Sequence, residues 1–247
     1  MRVLGVIPAR LGSTRLPNKP LQLLAGEPLI TRVIQHVVDL GAVDQVVVAT
    51  DADAVARVVQ QAGVRAVLTH DGHLTGTDRV AEVAARAEFA GFDAIANVQG
   101  DEPFLPAAAL AGAIERVAGG DDVGTAAAPM PAEFAEDPSR VKVVTDAAGR
   151  ALYFSRAAIP RRREASDPAD GLYWQHFGLY VYTREALRRW VATPPSPAEL
   201  AERLEQLRAL HGGLTIGVAR LTEPALPGVD TPDDLRRAEA HWHAFEG

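Results

Sequence analysis

The chain has 247 residues, 47% of them hydrophobic and 23% charged, which excludes a disordered or fibrous protein and suits one large α/β domain or a domain with a smaller lobe. No apolar run nears the ~20 residues of a membrane span, no signal-peptide pattern precedes residue 2, and the lack of cysteine excludes disulfides and thiolate chemistry, so the expected compartment is the cytoplasm. A net charge of −7 argues against nucleic acid as a partner, so an anionic ligand needs local cationic clusters.

Residues 3–7 are a short apolar run closed by Pro8 and read as a buried strand. Residues 9–27 form a long loop rich in Gly, Ser, Thr, Pro and cations, and Pro28 suits the first turn of a helix to Leu40 that stops at Gly41. Residues 46–50 are a second strand, and Asp51 reads as the N-cap of a helix through Gln61. Residues 66–69 and 94–98 are further strands on either side of an alanine-rich helix over about 78–88, and another helix begins near Pro106. This alternation predicts right-handed crossovers and a mixed, mainly parallel sheet flanked by helices.

The pattern then changes. Residues 141–146 and 151–156 read as a hairpin turning at 147–150, which holds Gly149. Residues 174–182 alternate like one strand, helices fill 184–191 and 197–210, and 214–221 is a late strand. Thr231-Pro232-Asp233-Asp234 opens the last helix with Thr as its cap and acids against the dipole. The expected organisation is a single α/β domain over 1–247 with an inserted β-rich lobe at about 141–190.

Two segments carry chemistry. In Pro8-Ala9-Arg10-Leu11-Gly12-Ser13-Thr14-Arg15-Leu16-Pro17-Asn18-Lys19-Pro20, three cations and two hydroxyls follow the first strand, where open α/β sheets bind ligands; this reads as a triphosphate grip. It is neither a Walker A sequence nor G-x-G-x-x-G. In Asn97-Val98-Gln99-Gly100-Asp101-Glu102-Pro103-Phe104, a strand ends in two acids, and the residues alone leave Asp101 as either an Mg²⁺ ligand or a cap for the next helix. Of 25 basic residues only Lys19 and Lys142 are lysines. Lys19 reads as functional, because a compact ammonium is not replaced by a planar fork; Lys142, in a strand, reads as a chance survivor.

These motifs resemble the 3-deoxy-manno-octulosonate (Kdo) cytidylyltransferases, also called CMP-Kdo synthetases. Thr75-Gly76-Thr77-Asp78-Arg79, Tyr153-Phe154-Ser155-Arg156, His176-Phe177-Gly178-Leu179-Tyr180, Leu204-Glu205-Gln206-Leu207-Arg208 and Gly228-Val229-Asp230-Thr231-Pro232 extend the likeness along nearly the whole chain. Two positions depart: Asn18 stands where many members have Gly, and Arg161 follows Pro160 where an aromatic is common.

The resemblance implies a nucleotide-diphospho-sugar transferase-like fold whose β-rich lobe covers the sugar and dimerises. It also implies CTP and Kdo as substrates, pyrophosphate and CMP-Kdo as products for lipopolysaccharide synthesis, Mg²⁺ as cofactor and a homodimer. Arg10 and Lys19 would face the phosphates, assisted by Ser13 and Arg15, while Ala9, Arg79 and Gln99 would face base and ribose. Asp101 and Asp230 would hold Mg²⁺, and with Arg10 and Lys19 they form the catalytic set. Arg156, Arg163, His176, Tyr180, Glu205 and Gln206 would line the sugar-acid site. On residue chemistry alone, His176 reads as a half-buried core histidine and Glu205 as a solvated helix acid, and it is the resemblance that reverses both readings. Another acidic sugar (sialic acid or amino-Kdo) and a catalytically silent nucleotide-binding subunit are the alternatives.

Overall fold

In the computed structural model the described residues are 1–13, 15–164, 166–224, 226 and 228–245, without the side chains of 243–245; Thr14, one of the two loop hydroxyls, lies outside them. The chain divides into two compact units, residues 1–105 with 226–247, and residues 106–225.

The first unit begins with β1 (Val3–Ala9), and the expected long loop contains a small antiparallel pair, β2 (Leu23–Leu24) and β3 (Glu27–Pro28). Next come α1 (Leu29–Asp39), β4 (Gln45–Thr50), α2 (Asp53–Gln61), β5 (Arg65–Leu68), α3 (Gly76–Ala85) and β6 (Ala94–Asn97). Four strands run parallel in the order β5-β4-β1-β6. They are apolar along their length, with Leu4, Val6, Ile7, Val47, Val48 and Ala49 buried, as strands covered on both faces must be. Helix α1 turns one stripe inward, Leu29, Ile30, Val33, Ile34 and Val37, at i, i+1, i+4, i+5 and i+8.

Two expectations are corrected here. Strand β1 does not stop at Pro8: it continues through Pro8 and Ala9, opposite Ala49 and Thr50 of β4. Its pairing with β6 ends at Val6 opposite Asn97, so the missing N–H of Pro8 removes no ladder bond. Asp51 is not the cap of α2. Ala52 occupies that position, and the Asp51 carboxylate pairs with Arg79 at 2.7 Å.

The second unit holds α4 (Ala107–Ala118), β7 (Val123–Pro129), β8 (Lys142–Thr145), β9 (Ala151–Ser155), β10 (Trp174–His176) and β11 (Tyr180–Thr183). It continues with α5 (Arg184–Ala192), α6 (Pro197–Glu202), α7 (Gln206–His211) and β12 (Ile216–Arg220). Strand β7 is central: β12 runs parallel along one edge, and β10 and β11 run antiparallel along the other. The β8–β9 hairpin extends the sheet beyond β10, with Gly149 at φ 75° in its turn. Gly124 lets β7 approach α4, since a Cβ there would lie 1.9 Å from the Ala113 carbonyl.

Residues 174–182 are not one uninterrupted strand. From Trp174 to Val181 is seven steps, while β7 advances only five, from Pro129 to Gly124, so two residues bulge out between β10 and β11. The Thr125 hydroxyl donates to the Leu179 carbonyl at 2.6 Å and fastens the bulge. The helix expected over 197–210 is likewise two helices. Arg203 turns left-handed at φ 55° and ends α6.

The chain then returns to the first unit with α8 (Pro232–Phe245). The Thr231 hydroxyl accepts from Asp234 N at 3.2 Å while the Asp234 carboxylate accepts from Thr231 N at 2.8 Å, so the expected cap is present in reciprocal form.

Candidate active site

Three separate pieces of the first unit converge at the carboxyl ends of its strands. Gly100 follows β6 where a Cβ would sit 3.0 Å from the Pro8 carbonyl, which presses the Asp101 turn against the end of β1. The backbone N–H of Val229 donates to the Asp101 carbonyl at 2.8 Å, which places Asp230 beside Asp101 although 129 positions separate them. Lys19 opens a 3₁₀ turn, Lys19–Leu21, just after Asn18 at φ 52° and ψ 35°. That left-handed backbone explains why Asn serves where glycine is common in the family: Asn is among the few side chains that enter this region at little cost.

The Lys19 ammonium reaches both carboxylates, touching Asp101 Oδ2 and lying 2.8 Å from Asp230 Oδ1. Arg15 adds a second cation, 3.0 Å from Asp230 Oδ2. Two acceptors on one nitrogen lie within about 6 Å of each other. Burial works against the Lys19 charge, but Asp101 and Asp230 outweigh it and raise its pKa above the ordinary value. Burial likewise pushes Asp101 up, with the Lys19 ammonium opposing it. Glu102 is pushed up to about 8, first by burial and then by the charges of Asp101 and Asp230, and so carries its proton at pH 7.

The sequence reading passed over Glu102. Its signal is the paired acid at a strand end, but the raised pKa comes first from burial, which the residues in sequence do not show.

The other residues expected to face the nucleotide are also in the first unit. Ala9 is the buried last residue of β1, and Arg10 is exposed and makes no hydrogen bond or ion pair among the described residues. The Ser13 hydroxyl accepts from Leu16 N at 3.3 Å and shapes the loop. Arg79 is only 2% exposed, held by Asp51 and by the Thr69 hydroxyl. Gln99 is half-buried beside Asn97. Asp101 does not cap α4, whose N-cap position is Pro106.

In the second unit Arg156 directly follows β9, and its guanidinium donates to the carbonyls of Glu202 at 2.7 Å, Pro138 at 2.9 Å and Arg203 at 3.4 Å. Arg163 is exposed, and with Arg161 and Arg162 it lines a cleft of about 300 Å³. Gln206 is buried at the start of α7, and Glu205 immediately precedes it. Lys142 is no chance survivor. It is fully buried, and its ammonium donates to the carbonyls of Asp137, Arg140 and Arg156, three acceptors that match its three protons.

The bulge brings His176 and Tyr180 together, with ring centroids 5.5 Å apart. His176 Nε2 lies 2.9 Å from the Thr125 hydroxyl; because that hydroxyl donates to Leu179, it accepts here and fixes the proton on Nε2. Burial lowers the His176 pKa to about 3. It also raises that of Tyr180 well above the ordinary value, helped by Tyr182 and Glu205. Glu205 therefore shares this neighbourhood.

His176 makes stability depend on pH. The folded state refuses a proton that the unfolded chain binds below its ordinary value of 6.5, so stability falls as pH drops from 6.5 towards 3. The slope contributed is up to about 1.4 kcal/mol per pH unit. Denaturant melts of wild type and His176→Gln across that window should show the flatter slope in the variant, and equal slopes would refute the assignment.

A lysine of the loop after β1 held between two carboxylates fits a nucleotidyltransferase, and a family model described as Cytidylyltransferase matches residues 4–216. Among sequence relatives, the 3-deoxy-manno-octulosonate cytidylyltransferase of Gemmatimonas aurantiaca is 55% identical over 98% of this chain and 95% of its own length. That of Methylococcus capsulatus is 48% identical over 96% and 95%. The solved CMP:2-keto-3-deoxy-manno-octonic acid synthetase complexed with CTP superposes with a TM-score of 0.91 at 37% identity, over 99% of this chain and all of that one. The chain belongs to the 3-deoxy-manno-octulosonate cytidylyltransferase family.

Proposed function

We propose that this chain transfers the cytidylyl group of CTP to the anomeric 2-hydroxyl of 3-deoxy-manno-octulosonate, giving CMP-Kdo and pyrophosphate for lipopolysaccharide synthesis. The observation that carries the proposal is the Lys19 ammonium held between Asp101 and Asp230 at the end of the phosphate loop. Lys19 and the exposed Arg10 and Arg15 bind the triphosphate and neutralise charge as the bond to pyrophosphate lengthens. Arg156 and Arg163 suit the sugar carboxylate, for which a guanidinium is a fitted donor, and Tyr180, Glu205 and Gln206 suit its hydroxyls. In the proposed reaction the sugar 2-hydroxyl oxygen attacks the α-phosphorus in line with the departing oxygen, the new P–O bond forming and the hydroxyl proton leaving as the bond to pyrophosphate breaks.

Mg²⁺ is the proposed cofactor. The residues fit it: Asp101 and Asp230 are hard oxygen donors already converging on one cation, the Lys19 ammonium. When bound there, the ion supplies charge neutralisation at the transferring phosphate and lowers the pKa of a coordinated hydroxyl. A cytoplasmic homodimer completes the proposal, supported by the exposed Leu152 and Tyr153 on β9.

The test is pyrophosphate release from CTP and Mg²⁺ with Kdo, sialic acid or amino-Kdo as acceptor, and then with each ribonucleoside triphosphate. Turnover should require CTP and be fastest with Kdo. A faster reaction with sialic acid would move the acceptor assignment, and equal use of ATP would overturn the base assignment.

A further inference from the structure

Helices α6 and α7 are separated by the left-handed turn at Arg203, and one side chain fastens that turn to the end of β9. The Glu202 carboxylate accepts from the Ser155 hydroxyl at 2.6 Å through Oε1 and from the Arg156 backbone N–H at 2.9 Å through Oε2. Its own carbonyl accepts from Arg156 Nε at 2.7 Å. Lys142 grips the Arg156 carbonyl from the other side, so both polar groups of the Arg156 backbone are held.

The arrangement is specific. Three of the five guanidinium N–H donors of Arg156 are spent on the carbonyls of Pro138, Glu202 and Arg203, which leaves two for an incoming anion. A flexible arginine would lose much side-chain freedom on closing around a carboxylate; this one has already lost it. The same clamp sets where α7 begins, four residues after Glu202, and hence where Glu205 and Gln206 stand relative to Arg156. A second tie, the buried Arg208 to Glu199 pair with its 2.9 Å bond, holds α7 to α6 independently of Glu202.

We propose that Glu202 is a positioning residue for the acceptor: it fixes Arg156 and the start of α7 as one unit, so that carboxylate-binding and hydroxyl-binding groups are preset for the sugar acid. This rests on the reading of Arg156 as a sugar-acid residue. Glu202 touches neither substrate in this account, and its effect appears in acceptor affinity alone.

The experiment is steady-state kinetics of Glu202→Gln, which keeps the shape of the side chain but removes one of its two acceptors. With Kdo varied, KM should rise ~10-fold, while KM for CTP stays within about 2-fold, because a lost hydrogen bond to a charged group costs roughly one decade. Ser155→Ala, which cuts one contact and spares the charge, should raise the Kdo KM by a smaller factor in the same direction, and it serves if Glu202→Gln does not fold. A lowered melting temperature with both KM values unchanged, or equal rises for both substrates, would show a merely structural residue and overturn the proposal. Arg156→Lys separates the two levels. If it leaves the Kdo KM unchanged, the sugar-site reading itself fails; if it raises KM while Glu202→Gln does not, only the positioning role fails.

Discussion

Lys19→Ala is expected to lower kcat about 100-fold while the chain still folds. An ammonium removed from a developing phosphate charge forfeits ~3 kcal/mol of transition-state stabilisation. Its raised pKa keeps Lys19 charged across any practical assay pH, so the loss should be the same at pH 6 and pH 9 and cannot be restored by acid. Lys19→Arg should rescue poorly. One tetrahedral nitrogen now reaches Asp101 and Asp230 together, and Asp230 already accepts from the guanidinium of Arg15. A second planar fork is longer and wider than the space that geometry implies. Single-turnover measurement of CMP transfer decides the matter: full activity in Lys19→Arg would show that charge alone matters at this position.

The legible parts of the molecule are those where a local pattern has one physical solution. Continuous apolar runs at 3–7 and 46–50 are strands buried on both faces, Thr231-Pro232 opens a helix, and Gly149 turns a hairpin. Lys19 and Asp101 stand out locally, as a lone lysine in a cation-rich loop and an acid where a strand ends, whereas Asp230 enters only through the resemblance. What escaped depends on partners far away in sequence. Strand β7 is built on Gly124, Thr125 and three alanines, a composition that reads as nothing in particular until α4 packs against Gly124. The bulge after His176 is fastened by a hydroxyl 51 positions away, and the break at Arg203 by Ser155 and Arg156. A non-glycine residue in a left-handed turn gives no signal of its own. Lys142 looked dispensable for the same reason: its three carbonyl acceptors come from two separate stretches of chain.

The two acids beside Lys19 give the sharpest test of the proposed metal. Asp101→Asn and Asp230→Asn should each abolish Mg²⁺-dependent transfer, and the double variant should be little worse than either alone, since residues that act through one ion lose the same thing once. The competing account makes Asp101 a turn residue and Asp230 a helix-entry residue. Under it each change costs about 1 kcal/mol of stability, the costs add, and activity survives. The structure already weakens the local roles, because Pro106 stands at the cap of α4 and the Thr231 side chain performs the cap of α8. The carboxylates instead share the Lys19 ammonium, so they are near enough for one cation to feel both. Activity need not be the only readout. Mg²⁺ binding followed by calorimetry in the presence of CTP should be lost in both single variants. Additive, partial losses of activity with Mg²⁺ affinity intact would end the shared-ion assignment.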